Sequence, residues 1–174
     1  MLKQGSIFLS IAVVVTVVFA GIAYAKIDPL SSDLEQVVKN TCVNAQVSLQ
    51  RIQQNDAATR VNRGQAYENL LSHYITPLNS RAAGEGYSEE ASKLSEITSR
   101  YQKAVKSFKK NYELYDDAVI AAVHAKCQEK PEIFYDYLRQ AKEQRVKLAA
   151  DVSLLDALME EYRMQAVALK GRVQ

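Results

Sequence analysis

Beyond Pro29 the chain holds only four glycines (Gly64, Gly84, Gly86, Gly171) and two prolines (Pro77, Pro131). Sandwiches and barrels turn every 8–12 residues or so and draw on these residues to do it. So long a stretch with six of them has few places to turn, and what lies between must be long and regular. The breaks fall at Ala82-Ala83-Gly84-Glu85-Gly86-Tyr87 and at Pro131. They divide the chain into three segments, about 31–83, 88–127 and 131–171.

Each segment repeats its apolar residues every three or four positions, the spacing of one helix face. In the second, Leu94, Ile97, Tyr101, Val105, Phe108, Tyr112, Tyr115, Val119 and Ala122 follow it. In the third, Phe134, Leu138, Ala141, Leu148, Val152, Leu155, Met159, Tyr162, Ala166 and Leu169 do. The first is sparser, with Leu34, Val38, Ala45, Leu49, Ile52, Ala66 and Leu70. Ser32-Asp33-Leu34-Glu35 has the form of a capping box. Ser88 precedes Glu89 and Glu90, acids suited to a first turn. Pro131 suits a first helical position, and Gly84 and Gly171 suit positions just past helix ends. Pro77 predicts a kink or an early end in the first segment. Short connections make neighbouring helices antiparallel. The expected fold is all-α: an elongated, antiparallel, coiled-coil-like three-helix bundle over 26–174, each helix roughly 60 Å long.

Residues 5–25 carry no charge, Lys3 precedes them, and Ala23-Tyr24-Ala25 is a small-x-small pattern. The segment reads either as a cleaved signal peptide or as an uncleaved signal-anchor helix long enough to span a bilayer. Both export the remainder and place it outside the cytoplasm, anchored in the membrane or secreted to the cell envelope. A formal charge of +2 on 174 residues gives no footprint for nucleic acid.

Two cysteines in an exported chain suggest one disulfide. Folding the first two segments back at Gly84–Gly86 pairs positions whose numbers sum to about 170. Cys42 and Cys127 meet that condition within a residue, at the end of the bundle away from the turn. If the leader stays uncleaved, this end faces the membrane. The turn Glu85-Gly86-Tyr87 then stands roughly 60 Å away as a candidate interaction tip.

Chemistry-bearing patterns are sparse. His73 and His124 level with different parts of the bundle and cannot share a metal. No Glu-x-x-His, His-Glu-x-x-His or glycine-rich phosphate loop occurs. The expectation is therefore no catalytic residue, no cofactor and no metal. Lys103, Lys106, Lys109 and Lys110 read as a solvated face. Polar residues do interrupt the stripes at mid-bundle: Asp56, Thr59 and Arg63 in the first segment, Arg145 in the third. If residue n of the third helix meets about n − 88 of the first, Arg145, Asp56 and Tyr112 share one layer. The expectation is an at least partly buried Asp56–Arg145 ion pair with Tyr112 beside it, fixing register as polar core residues do in coiled coils. The alternative is a small polar binding cavity.

The pattern Gly86-Tyr87 opening a helix, Tyr112-x-x-Tyr115, and Cys127-x-x-x-Pro131-x-x-Phe134-x-x-x-Leu138-x-x-Ala141-Lys142, with a first cysteine near the start of the first helix, resembles small exported helical proteins of the Patescibacteria (Saccharibacteria and relatives). Their last residue is more usually Arg than Lys142. The resemblance implies an exported, disulfide-bearing bundle and no activity. The functional expectation is a non-enzymatic spacer, scaffold or interaction module of the cell envelope, with a protein or envelope partner and with the membrane itself if the leader remains. The alternative is a binding protein holding a small ligand or metal between helices.

Overall fold

The structure, a computed structural model, describes residues 30–173. The export or anchor segment 1–25 lies outside the described residues. Those described are all-helical, with α1 (Ser32–Leu70), a π-helical turn (Leu71–Ile75), α2 (Thr76–Gly84), α3 (Ser88–His124) and α4 (Pro131–Val173). Among them no helix is long and apolar enough to cross a membrane.

The helix ends refine the sequence reading. The N-cap of α1 is Ser31, one residue before the expected capping box; its hydroxyl accepts from the Leu34 N–H at 3.4 Å. Glu35 turns outward to Lys39 at 2.5 Å. Pro77 neither ends nor breaks the first long helix. A proline cannot donate to a carbonyl one turn back, and its ring crowds that carbonyl. The preceding turn widens instead, with the Thr76 N–H reaching the Leu71 carbonyl five residues back, and the helix continues as α2. At the far end Gly86, not Gly84, takes the left-handed conformation, with φ 90°. The Gly86 N–H donates to Ala83 (3.3 Å) and the Tyr87 N–H to Ala82 (3.0 Å). These two hydrogen bonds satisfy carbonyls that the helix end would orphan. Gly171 lies inside α4.

Helix α3 stops at His124, three residues before the expected boundary, and Cys127 sits in the connecting loop. Gln46 of α1 explains how this end is completed. Its side-chain amide donates to the Ala122 carbonyl (3.0 Å) and to the Ala125 carbonyl (2.8 Å). A distant helix thus supplies the partners that helix termini lack.

All nine apolar residues expected on the inner face of α3 are buried. Opposite them lie Phe134, Ala141, Leu155, Tyr162 and Leu169 of α4, also buried. Each of the larger aliphatic and Phe side chains contributes about 1.5–3 kcal/mol when withdrawn from water. Helices α3 and α4 pack most extensively; α1 rests mainly on α3 and touches α4 least. Ile52 and Ala66, expected in the core, are exposed, whereas Ile75 and Leu158 are buried. Between Cys42 and Gly64 no described residue of α1 is fully buried.

A polar layer crosses the bundle beside the π-turn. Asn79 of α2 donates to the buried Thr98 hydroxyl of α3 (2.8 Å) and accepts from the Tyr162 hydroxyl of α4 (2.8 Å). That hydroxyl also lies 3.2 Å from the Ile75 carbonyl. Thr98 in turn donates to the Leu94 carbonyl at 2.7 Å. Because every member has a partner, the layer fixes register without leaving a desolvated polar group.

Candidate functional site

Cys42 and Cys127 lie at disulfide distance, with Cα atoms 6.0 Å apart. Around them Val38, Ala122 and Phe134 form a small core separate from the main one. This places the pair where folding at the Gly84–Gly86 turn would bring it, at the opposite end of the molecule.

The mid-bundle polar residues gather, but not as an ion pair. Asp56 and Arg145 line the same groove and do not approach within 4.0 Å. Asp56, Tyr112 and Arg145 line one groove at the level expected, but Arg145 is exposed on its side of it. Asp56 is instead held by two phenols of α3. The Tyr115 hydroxyl donates to its carboxylate (2.9 Å) and the Tyr112 hydroxyl to its backbone carbonyl (2.6 Å). Tyr112 thus belongs to the layer as expected. Tyr115, one turn on along the same face, was legible as a core residue but not as the ligand of Asp56.

The groove runs between α1 and α4 with α3 as its base and encloses about 390 Å³. Asp56, Thr59 and Arg63 form the α1 side, Phe108, Tyr112 and Tyr115 the base, and Arg145, Leu148, Ala149 and Val152 the α4 side. It exists because polar residues occupy the inward stripe of α1 at this level, and polar groups resist the close apolar packing that would shut it.

Burial pushes the Tyr115 hydroxyl up to about 12, reinforced by its bond to the Asp56 carboxylate and opposed by the nearby Arg145 charge. Burial likewise raises Tyr101 and Tyr162 to about 12. Folding keeps these phenols protonated while the unfolded chain loses its phenolic protons from about pH 10. The unfolded state therefore binds fewer protons in this range, and stability falls as pH rises from about 10 to about 12. Absorbance at the phenolate band should show these three tyrosines ionising together with loss of helix by circular dichroism. Ionisation of all ten tyrosines near pH 10 with the helix intact would contradict the burial.

A second polar contact went unforeseen: buried Asp151 of α4 accepts from Asn111 of α3 at 2.7 Å. His73 and His124 are both exposed, and among the described residues no cluster of His, Cys, Asp or Glu is placed to hold a metal ion. Lys103, Lys106, Lys109 and Lys110 are exposed, and Lys109 pairs with Glu68. At the turn, Glu85 and Gly86 are exposed, but Tyr87 leans partly buried against the core and does not project as a free aromatic. No protein-family model, curated protein or solved structure matches this chain.

Proposed function

We propose that the chain is an exported, non-enzymatic helical interaction module of the cell envelope, a stiff three-helix rod that engages its partner side-on through α4. The uncharged segment 5–25 and the Cys42–Cys127 pair support an extracytoplasmic setting. The observation that carries the reading is the outer face of α4. Val146, Leu154, Met164 and Val167 are exposed, at 66%, 48%, 54% and 57%. Val146, Ala150, Ser153 and Ala157 follow one another at three or four residues, and after a break at Glu160 and Glu161 the same face resumes with Met164 and Ala168; all six are exposed and opposite the buried stripe. A second apolar seam with heptad-like spacing suits another helix.

The partner that best fits is a second copy running antiparallel. Lys142 and Lys147 flank the start of this seam, and Glu160 and Glu161, which Arg163 and Arg100 of the same chain hold, flank its later part. Reversal sets opposite signs against each other, which fixes orientation more than it adds affinity. A photo-crosslinker at position 164 in the full chain, within the envelope, should yield adducts to the region of 142–147 in another copy. Val146→Glu with Met164→Glu should abolish them. If these variants leave association intact while changes at Glu85, Gly86 and Tyr87 remove it, the tip is the contact and the α4 seam is not. Absence of any adduct overturns the self-association.

A further inference from the structure

We infer that the groove between α1 and α4 is a binding site for a monoanionic amphipath, a carboxylate carrying a compact apolar body. This goes beyond the rod reading and does not depend on it. The groove's volume of about 390 Å³ falls within the range of small-molecule pockets, roughly 300–1,000 Å³. Its chemistry is divided. Phe108, Leu148, Ala149 and Val152 offer an apolar bed, and Arg63 and Arg145 stand on its two sides. Neither arginine makes an ion pair with any described residue. Guanidinium groups stay charged at any working pH, and their planar fork matches a carboxylate.

The third charge of the lining decides the ligand's valence. Asp56 is the acid among the residues that line the groove, and Tyr115 already donates to its carboxylate. Two cations and one anion leave a lining charge of +1, suited to a single negative charge and less so to a phosphate dianion. The groove on the other flank of α1 shows the contrast. It carries Glu68, Glu113 and Lys109, and Lys109 is already taken by Glu68. The apolar body would also fill a gap in the fold, since α1 contributes no fully buried side chain at this level.

The test uses the oxidised full chain in lipid nanodiscs, with empty nanodiscs as the blank. Naphthoate is the anionic probe and naphthylmethylamine the cationic one of the same shape. Naphthoate should bind with one-to-one stoichiometry and the amine should not. Arg63→Gln and Arg145→Gln should each weaken naphthoate at least about tenfold, the loss expected for a charge-assisted hydrogen bond. Both side chains are exposed, so circular dichroism should stay unchanged. Ala149→Phe, also at an exposed position, should fill the bed and remove binding with the helix content intact. Equal binding of the amine, indifference to both arginine variants, or no binding below about 1 mM would each overturn the assignment.

Discussion

Replacing Cys42 and Cys127 together by alanine should lower the stability of the folded chain by about 4–5 kcal/mol at most. The two are 85 residues apart, and closing a loop of that length removes about that much conformational freedom from the unfolded chain in the entropy model. Both cysteines are buried, at 0% and 3% exposure, so alanine also leaves a small cavity, and the reduced form with both sulfurs in place isolates the loss of the cross-link. Denaturant midpoints of the oxidised, reduced and double-alanine forms would measure it. The small core of Val38, Ala122 and Phe134 depends on the bridge more than the main core does, so the start of α1 should become the first site of proteolysis on reduction. An unchanged midpoint with an unchanged cleavage pattern would mean that the pair carries no mechanical role.

The adjacent leucines of α4 should behave as opposites. Leu155 is fully buried among the side chains of the main core, while Leu154 is 48% exposed on the outer face. Leu155→Ala removes apolar contacts and leaves a cavity, so about 3–5 kcal/mol should be lost. Leu154→Ala should fall within about 0.5 kcal/mol of wild type. Equilibrium unfolding of the two variants tests the rotational setting of α4 directly. Equal losses would mean that this helix is rotated, and the outer seam would disappear with it.

The parts that could be read from the sequence are those where one signal acts alone. The inner face of α3 is apolar at every turn, so periodicity located all nine of its expected core residues. Helix α1 is different. Gln46, Gln53, Asp56, Thr59 and Arg63 interrupt its inward stripe, and a polar residue there announces an interruption without naming its partner. Gln46 caps a helix end 76 residues away and Asp56 takes a phenol 59 residues away; these pairings follow from packing in three dimensions. The ion-pair expectation failed for a related reason. The level count brought Asp56, Tyr112 and Arg145 to one groove, but a level does not say which way a side chain turns: Asp56 takes an α3 phenol and Arg145 stays exposed. The π-turn shows the same limit: Pro77 signalled a disturbance, and whether it became a kink, an end or a widened turn depended on what Tyr162 and Asn79 could support around it.

The uneven attachment of α1 has a topological consequence. Near one end the helix is fastened through Cys42 to the loop after α3, and past the other its continuation α2 is fastened by the Gly86 turn and the Asn79 bonds. Its middle is held by a few side-chain hydrogen bonds. An opening fluctuation therefore bows the middle outward while both ends stay pinned, and the segment recloses on its own molecule at high effective concentration. Exchange of this helix between two copies, the usual hazard of a hairpin-linked element, is forbidden as long as the bridge is intact. In a reducing compartment the same sequence would lose that protection, and α1 would become the arm by which two molecules trade halves.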